Sequence, residues 1–125
     1  MRFLSAEWAE AVQAACNGDL AFREAAAGRT AAIQQVITGP EGDTHYWTRL
    51  AEGQISLGLG DLEGPDATVR QSYETAAGLA RREVNAVTAY MTGKIKIEGN
   101  LGQLMALQSV LGRMADVMGT LDVDY

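Results

Sequence analysis

The stretch MTGKIKIEGNLGQLMALQ, residues 91–108, begins as a strand and ends as a helix. Ile95 and Ile97 alternate with Lys94, Lys96 and Glu98, so apolar and charged side chains point opposite ways. That period of two marks a half-buried strand. Gly99 permits a turn that a side chain would hinder, and Asn100 is a favoured N-cap. The pattern therefore predicts a helix over roughly residues 101–118.

Set at 100° per residue, that helix is apolar over an arc of roughly 240°, twice what a helix resting on a core needs. Leu101, Leu104, Met105, Leu107, Leu111, Met114 and Met118 fall within it, Val110 and Val117 extend it, and Ser109, Arg113 and Asp116 form the polar strip. Such a helix is buried on several sides, lines a cavity or packs on another chain. Periodicity alone favours a central core helix. Gln108 falls inside the apolar arc, where an unpaired buried amide costs about 1–3 kcal/mol, so a partner for it is expected.

Upstream, Ser5 caps a helix of about residues 5–17, with Leu4, Trp8, Val12 and Cys16 on its inner face. Asn17-Gly18-Asp19 stops it, and Asp19 can cap a short second helix ending near Gly28. Thr30 to Thr38 reads as a strand with Ala31, Ile33, Gln35 and Ile37 on one face, followed by a turn at residues 39–43. His45–Ala51 and Gln54–Gly60 form a hairpin around Glu52-Gly53, the second strand alternating cleanly at Ile55, Leu57 and Leu59. A breaker at Leu62-Glu63-Gly64-Pro65 precedes a short strand, Ala67–Arg70. Helical patterns follow from Ser72 and from about Glu83 to Met91. Thr120 to Tyr125 is acidic and is expected to fray. No repeat or linker divides the chain, so residues 1–125 read as one α+β domain in which helices pack on one face of a mostly antiparallel sheet.

Composition excludes several functions. One hundred and twenty-five residues suffice for a self-supporting core, and 47% hydrophobic with 21% charged residues is ordinary globular content. The net charge of −6 argues against nucleic-acid binding and against strong attachment to anionic membranes. A single cysteine, Cys16, excludes an internal disulfide framework and fits a reducing compartment. No signal peptide or membrane span is evident, and the expected location is cytoplasmic.

Several segments, in order, resemble the sterol carrier protein type-two family. Thr92-Gly93-Lys94-Ile95-Lys96-Ile97-Glu98-Gly99-Asn100 with Leu104-Met105-x-Leu107-Gln108 resembles its closing strand and helix. Pro65-Asp66-Ala67-Thr68-Val69 resembles its aspartate-led fourth strand. Trp47-Thr48-x-Leu50, the turn at Gly53 and Ile55-x-Leu57 resemble its central hairpin. Glu83-x-Asn85 with Ala89-Tyr90-Met91 resembles the helix before the last strand. The resemblance spans roughly residues 30–112.

It implies a five-stranded, mainly antiparallel sheet under helices, with a hydrophobic tunnel between them. It also implies non-catalytic binding, and in some members transfer, of fatty acids, fatty acyl-CoA or sterols. The lining residues expected on this basis are Trp47, Leu57, Leu59, Tyr73, Val87, Met91, Leu104, Met105, Gln108 and Leu111. The strand carrying Trp47 alternates poorly, which leaves its face open. Arg82 and Ala86 stand where the family usually has glycine and proline, so the turn between the middle helices is expected to be helical rather than broken. The ending Asp-Val-Asp-Tyr lacks a peroxisomal tripeptide, and a stand-alone bacterial-type member is expected.

Other chemistry finds no constellation. His45, the only histidine, reads as an ordinary strand residue, with no nucleophile elbow in the chain. Gly58-x-Gly60-x-x-x-Gly64 has the wrong spacing for a dinucleotide loop, and Thr88 and Ile95 spoil a P-loop at Gly93-Lys94. Asp61, Glu63 and Asp66 miss the spacing of a calcium loop and read as a solvated loop. Arg81, Arg82, Lys94 and Lys96 can meet an anionic head group or simply be solvated. No cofactor and no metal are expected. The expected partner is a lipid or other long apolar molecule, with at most transient membrane contact, in a monomer or homodimer. The alternative is a homodimerising or partner-docking module whose cavity is filled by side chains.

Overall fold

β1 (Ala31–Gly39) runs through the middle of a five-stranded sheet ordered β3-β2-β1-β4-β5 in a computed structural model that describes residues 1–125. It holds that place because both of its faces are apolar: Ala31, Ile33 and Ile37 are buried on one and Val36 on the other. β2 (Gly42–Ala51) pairs antiparallel with β1 and with β3 (Gln54–Leu59). β4 (Ala67–Ser72) lies parallel to β1, the one parallel pair, and β5 (Ile95–Gly99) closes the sheet antiparallel. The fold is α+β with a mostly antiparallel sheet.

Strand register decides which side chains share a face. Ile33 stands level with Thr48, Leu57 and Ala67, and Gln35 with Tyr46, Leu59, Val69 and Ile97. This is the inner face. Its apolar members join one continuous core with the helices α1 (Ala6–Asn17), α2 (Leu20–Ala26), α3 (Tyr73–Ala80) and α6 (Gln108–Met118). Caps read from the sequence form: Ser5 Oγ accepts from the Trp8 N–H, Asp19 Oδ2 from Phe22, and Asn100 Oδ1 from Gln103.

Both sheet edges are managed. The free edge of β3 is closed by α1, whose Asn17 Oδ1 accepts from the Ile55 N–H (2.8 Å) while its Nδ2 donates to the Ile55 carbonyl (2.9 Å). Gln13 Oε1 accepts from the Leu57 N–H at 3.0 Å. The other edge, β5, exposes Lys96 and Glu98, charges that discourage pairing with another chain. β5 ends at Gly99, φ 97°, where a Cβ would meet the Asp66 carbonyl oxygen at 2.6 Å. Asp66 ties the neighbouring elements together: its Oδ2 accepts from the Ala32 N–H at 2.8 Å and from Gln103 Nε2 at 3.3 Å.

Two expectations need correction. The closing helix is two helices, α5 (Leu101–Ala106) and α6, meeting at Leu107 (φ −95°, ψ 9°). The Leu107 N–H bonds back three residues to Leu104, tightening the turn. The break divides the wide apolar arc between two axes, so that Leu104, Leu107, Val110 and Met114 are all buried.

The turn between α3 and α4 (Ala86–Met91) is broken rather than helical: Arg82 takes φ 63°, and the Glu83 and Val84 N–H groups return to the Gly78 carbonyl. This is the left-handed helix ending usually given to glycine. The C-terminal residues lie against the N-terminal segment. Asp124 bridges Arg2 in parallel, and the Tyr125 ring lies 4.9 Å from Phe3.

Candidate functional site

The ten expected lining residues do not all come together. Leu57 and Leu104 are buried in the shared core, with Tyr73 and Leu111 packed partly buried against it. Leu59 has inner-face parity but sits at the sheet's edge, 46% exposed. Trp47 is corrected outright: its register with Gln34 and Gly58 puts it on the outer face, away from the helices. There it lies over Gly58, where a Cβ would come within 2.4 Å of its ring, and Arg49 stacks 5.8 Å from the ring centroid. Gln108, expected in the apolar arc with a buried partner, is exposed and donates only to Met105 Sδ at 3.9 Å. The break at Leu107 rotates it out of that arc.

The remaining three are exposed on the surface. Val87 and Met91 on α4 and Met105 on α5 are 50%, 79% and 54% exposed, and Tyr90 joins them at 40%. α4 and α5 have six residues each, flank β5 in the chain, and have one buried side chain apiece, Ala89 and Leu104. Helices this short are marginal by themselves and draw stability from packing. The buried face of α3 consists of small residues only: Thr75, Ala76, Ala77, Gly78 and Ala80.

The inner face also carries polar groups, a feature sequence reading noted only at Gln35. Gln35 Oε1, Gln71 Oε1, Thr48 Oγ1 and Trp8 Nε1 are buried and find no protein partner. Each such group costs about 1–3 kcal/mol when left unmade. Tyr46 stands among them, opposite Gln35 and edge-on to Trp8 (5.4 Å, 88°). Burial raises the Tyr46 hydroxyl's pKa, keeping it protonated. Burial, then the nearby Asp19 carboxylate, pushes the Cys16 thiol up to about 12, leaving it a buried apolar group and no nucleophile.

A cleft of about 450 Å3 opens at one end of the sheet, lined by the N-terminal segment, the β1–β2 turn, Ile37 and Tyr73. A second, of about 430 Å3, lies between α2 and the β2–β3 turn. Neither is lined by Leu104, Met105 or Leu111. His45 Nδ1 lies 2.6 Å from Asp61 Oδ1 on the outer side, a contact joining β2 to the loop after β3. No group of three or more histidine, cysteine, aspartate or glutamate side chains is placed to hold a metal. No helix is long and apolar enough to cross a membrane.

The profile of the SCP-2 sterol transfer family matches residues 10–112. Mouse stomatin-like protein 1 is 34% identical over 67 residues, 53% of this chain and 17% of that protein. Chicken sterol carrier protein 2 is 29% identical over 77 residues, 61% of this chain and 14% of that protein. The chain thus matches less than a fifth of the length of either relative. A crystal structure of sterol carrier protein 2 superposes with a TM-score of 0.81 at 17% identity, covering 97% of this chain and 100% of that one. At that identity the likeness establishes the fold alone.

Proposed function

Since the chain belongs to the SCP-2 sterol transfer family, we propose that it binds a long apolar molecule, such as a fatty acid, a fatty acyl-CoA or a sterol, between its sheet and its helices, and releases it unchanged. The observation that carries this reading is the exposure of four large apolar side chains, Val87, Tyr90, Met91 and Met105, on two six-residue helices. Several large apolar side chains left exposed on short, poorly packed helices favour a surface that meets something apolar. The face that α3 turns to the sheet is made of small residues, so a chain can lie under it without displacing bulky groups.

The energetics favour length. Each buried methylene contributes about 0.8 kcal/mol, so roughly ten offset the several kcal/mol lost on association. α4 and α5, with little packing of their own, are the elements expected to part as the molecule enters. The lining proposed from the inner face is Leu57, Tyr73, Leu104 and Leu111, with Val87, Met91 and Met105 at the mouth. A net charge of −6 works against lasting attachment to an anionic membrane, so any membrane contact is brief, and the lone thiol suits the cytoplasm.

Native mass spectrometry of freshly purified protein, followed by extraction and identification of bound lipid, tests the reading directly. Met105→Asp and Met91→Asp, both at exposed positions, are expected to fold and to lose lipid uptake from vesicles at least tenfold, whereas Ser109→Asp on α6 retains it. Equal uptake by all three variants would remove Met91 and Met105 from the site. A protein that never acquires lipid mass, and sediments as a tight dimer, would overturn the reading itself.

A further inference from the structure

Gln34 and Gln35 are neighbours on β1 with opposite fates. Gln34, on the outer face, uses its amide fully: Nε2 donates to the Tyr46 and Gly60 carbonyls and Oε1 accepts from the Leu62 N–H. Gln35, on the inner face, leaves its buried oxygen unmade, and so does Gln71 on β4. Gln35 is level with Val69 and Gln71 with Ile37, which makes the two glutamines diagonal neighbours across the parallel pair. Thr48 also has an unpaired hydroxyl, but it is level with Ile33 and lies four positions along the sheet from Gln71. Ile37 also lines the 450 Å3 cleft, so these groups begin just behind an opening.

The same face holds no charge. Its sheet positions are alanine, isoleucine, valine, leucine, threonine, glutamine and the protonated Tyr46; no lysine, arginine, histidine, aspartate or glutamate stands among them. An ionised carboxylate brought there would lose its water and gain no counter-charge. A hydroxyl loses little, since it can donate to an amide oxygen and accept from an amide or hydroxyl hydrogen. A site whose polar groups stay unpaired without a matching partner discriminates strongly against molecules that lack one.

Resting on the lipid-binding reading above, we infer that this interior selects long apolar molecules that end in an uncharged hydrogen-bonding head, a hydroxyl above all, received by Gln35 and Gln71. An ionised fatty acid is then a poorer ligand than the alcohol of the same length.

The test titrates the full chain with 1-hexadecanol, palmitate and hexadecane at pH 8, each delivered from cyclodextrin, and repeats this with the Gln35→Leu/Gln71→Leu variant. The wild-type chain is expected to bind the alcohol at least tenfold more tightly than either of the others. The variant loses that preference and keeps its affinity for hexadecane. Its thermal midpoint is unchanged or higher, because unpaired buried groups have been removed. Equal affinities in the wild-type chain, or a preference the variant retains, would overturn the inference and leave lipid binding standing. Failure to bind any of the three would overturn both.

Discussion

Arg113 on α6 grips Asp19, the N-cap of α2, through two parallel hydrogen bonds of 2.7 and 2.8 Å between residues 94 apart in the chain. The same carboxylate accepts from the Phe22 N–H, so one side chain both starts α2 and anchors the last helix. The Arg113 hydrogen bonds, then the Phe22 N–H, hold the Asp19 carboxyl down at about 2, against its usual 3.8. Between those values the unfolded chain binds a proton that the folded chain does not, so stability rises with pH across the window. The contribution is complete above about pH 4 and disappears as pH falls through about 2. Urea midpoints measured from pH 6 to pH 2 should therefore fall less steeply in Asp19→Asn than in the wild-type chain, with Asp19→Asn the weaker protein at neutral pH.

Trp47 and Gly58 make a second prediction. A Cβ at position 58 would press 2.4 Å from the indole, so Gly58→Ala forces the ring off the strand and away from Arg49. Overpacking of this kind costs about 1–3 kcal/mol. Because the pair lies on the face away from the helices, lipid affinity should be unchanged. Denaturation followed by tryptophan fluorescence, beside a lipid titration, checks both halves. A loss of affinity without a loss of stability would place Trp47 in the binding site after all.

Arg82 combines a costly backbone with useful side-chain bonds. Its φ of 63° suits glycine, yet its guanidinium bonds the Gly112 carbonyl and pairs with Asp116 on α6. Arg82→Ala keeps the strain and loses those bonds, while Arg82→Gly relieves the strain as it loses them. The glycine variant should be the more stable of the two by about 1 kcal/mol in urea denaturation. Equal stabilities would mean that the left-handed turn costs nothing here.

The strand-to-helix passage at residues 94–101 was legible because independent signals agree there: Ile95 and Ile97 alternate, Gly99 turns and Asn100 caps. The break at Leu107 carries no such punctuation. No proline or glycine marks it, and it arises from packing, which buries Leu104 and Leu107 on one axis and Val110 and Met114 on another. Arg82 misled in the opposite sense, since a residue with a side chain occupies a glycine conformation that tertiary bonds to α6 support. The face of Trp47 was hidden because Tyr46 and Trp47 are consecutive aromatics, so both parities of β2 look apolar. Only pairing with Gly58 and Gln34 separates them. Gln35 was visible as a polar residue in an apolar alternation. Its lack of a partner depends on β2, β4 and α3, which no local pattern records.

Gln34 and Gln35 give the sharpest contrast, because the same substitution at adjacent positions should act in opposite directions. Gln34→Leu strands the Leu62 N–H and removes donors to two carbonyls that hold the loop after β3 to the sheet. Leaving such groups without partners costs about 1–3 kcal/mol each, so a loss of at least ~2 kcal/mol is expected. Gln35→Leu strands nothing: its oxygen has no partner to lose, and leucine of similar size suits the surrounding Ile33, Ile37, Tyr46 and Val69. Its stability should equal or exceed that of the wild-type chain. Urea denaturation of the two single variants, without lipid, decides the matter. Should Gln35→Leu weaken the fold as much as Gln34→Leu does, the Gln35 oxygen is already satisfied within the protein, and the interior has no free acceptor there to offer a ligand.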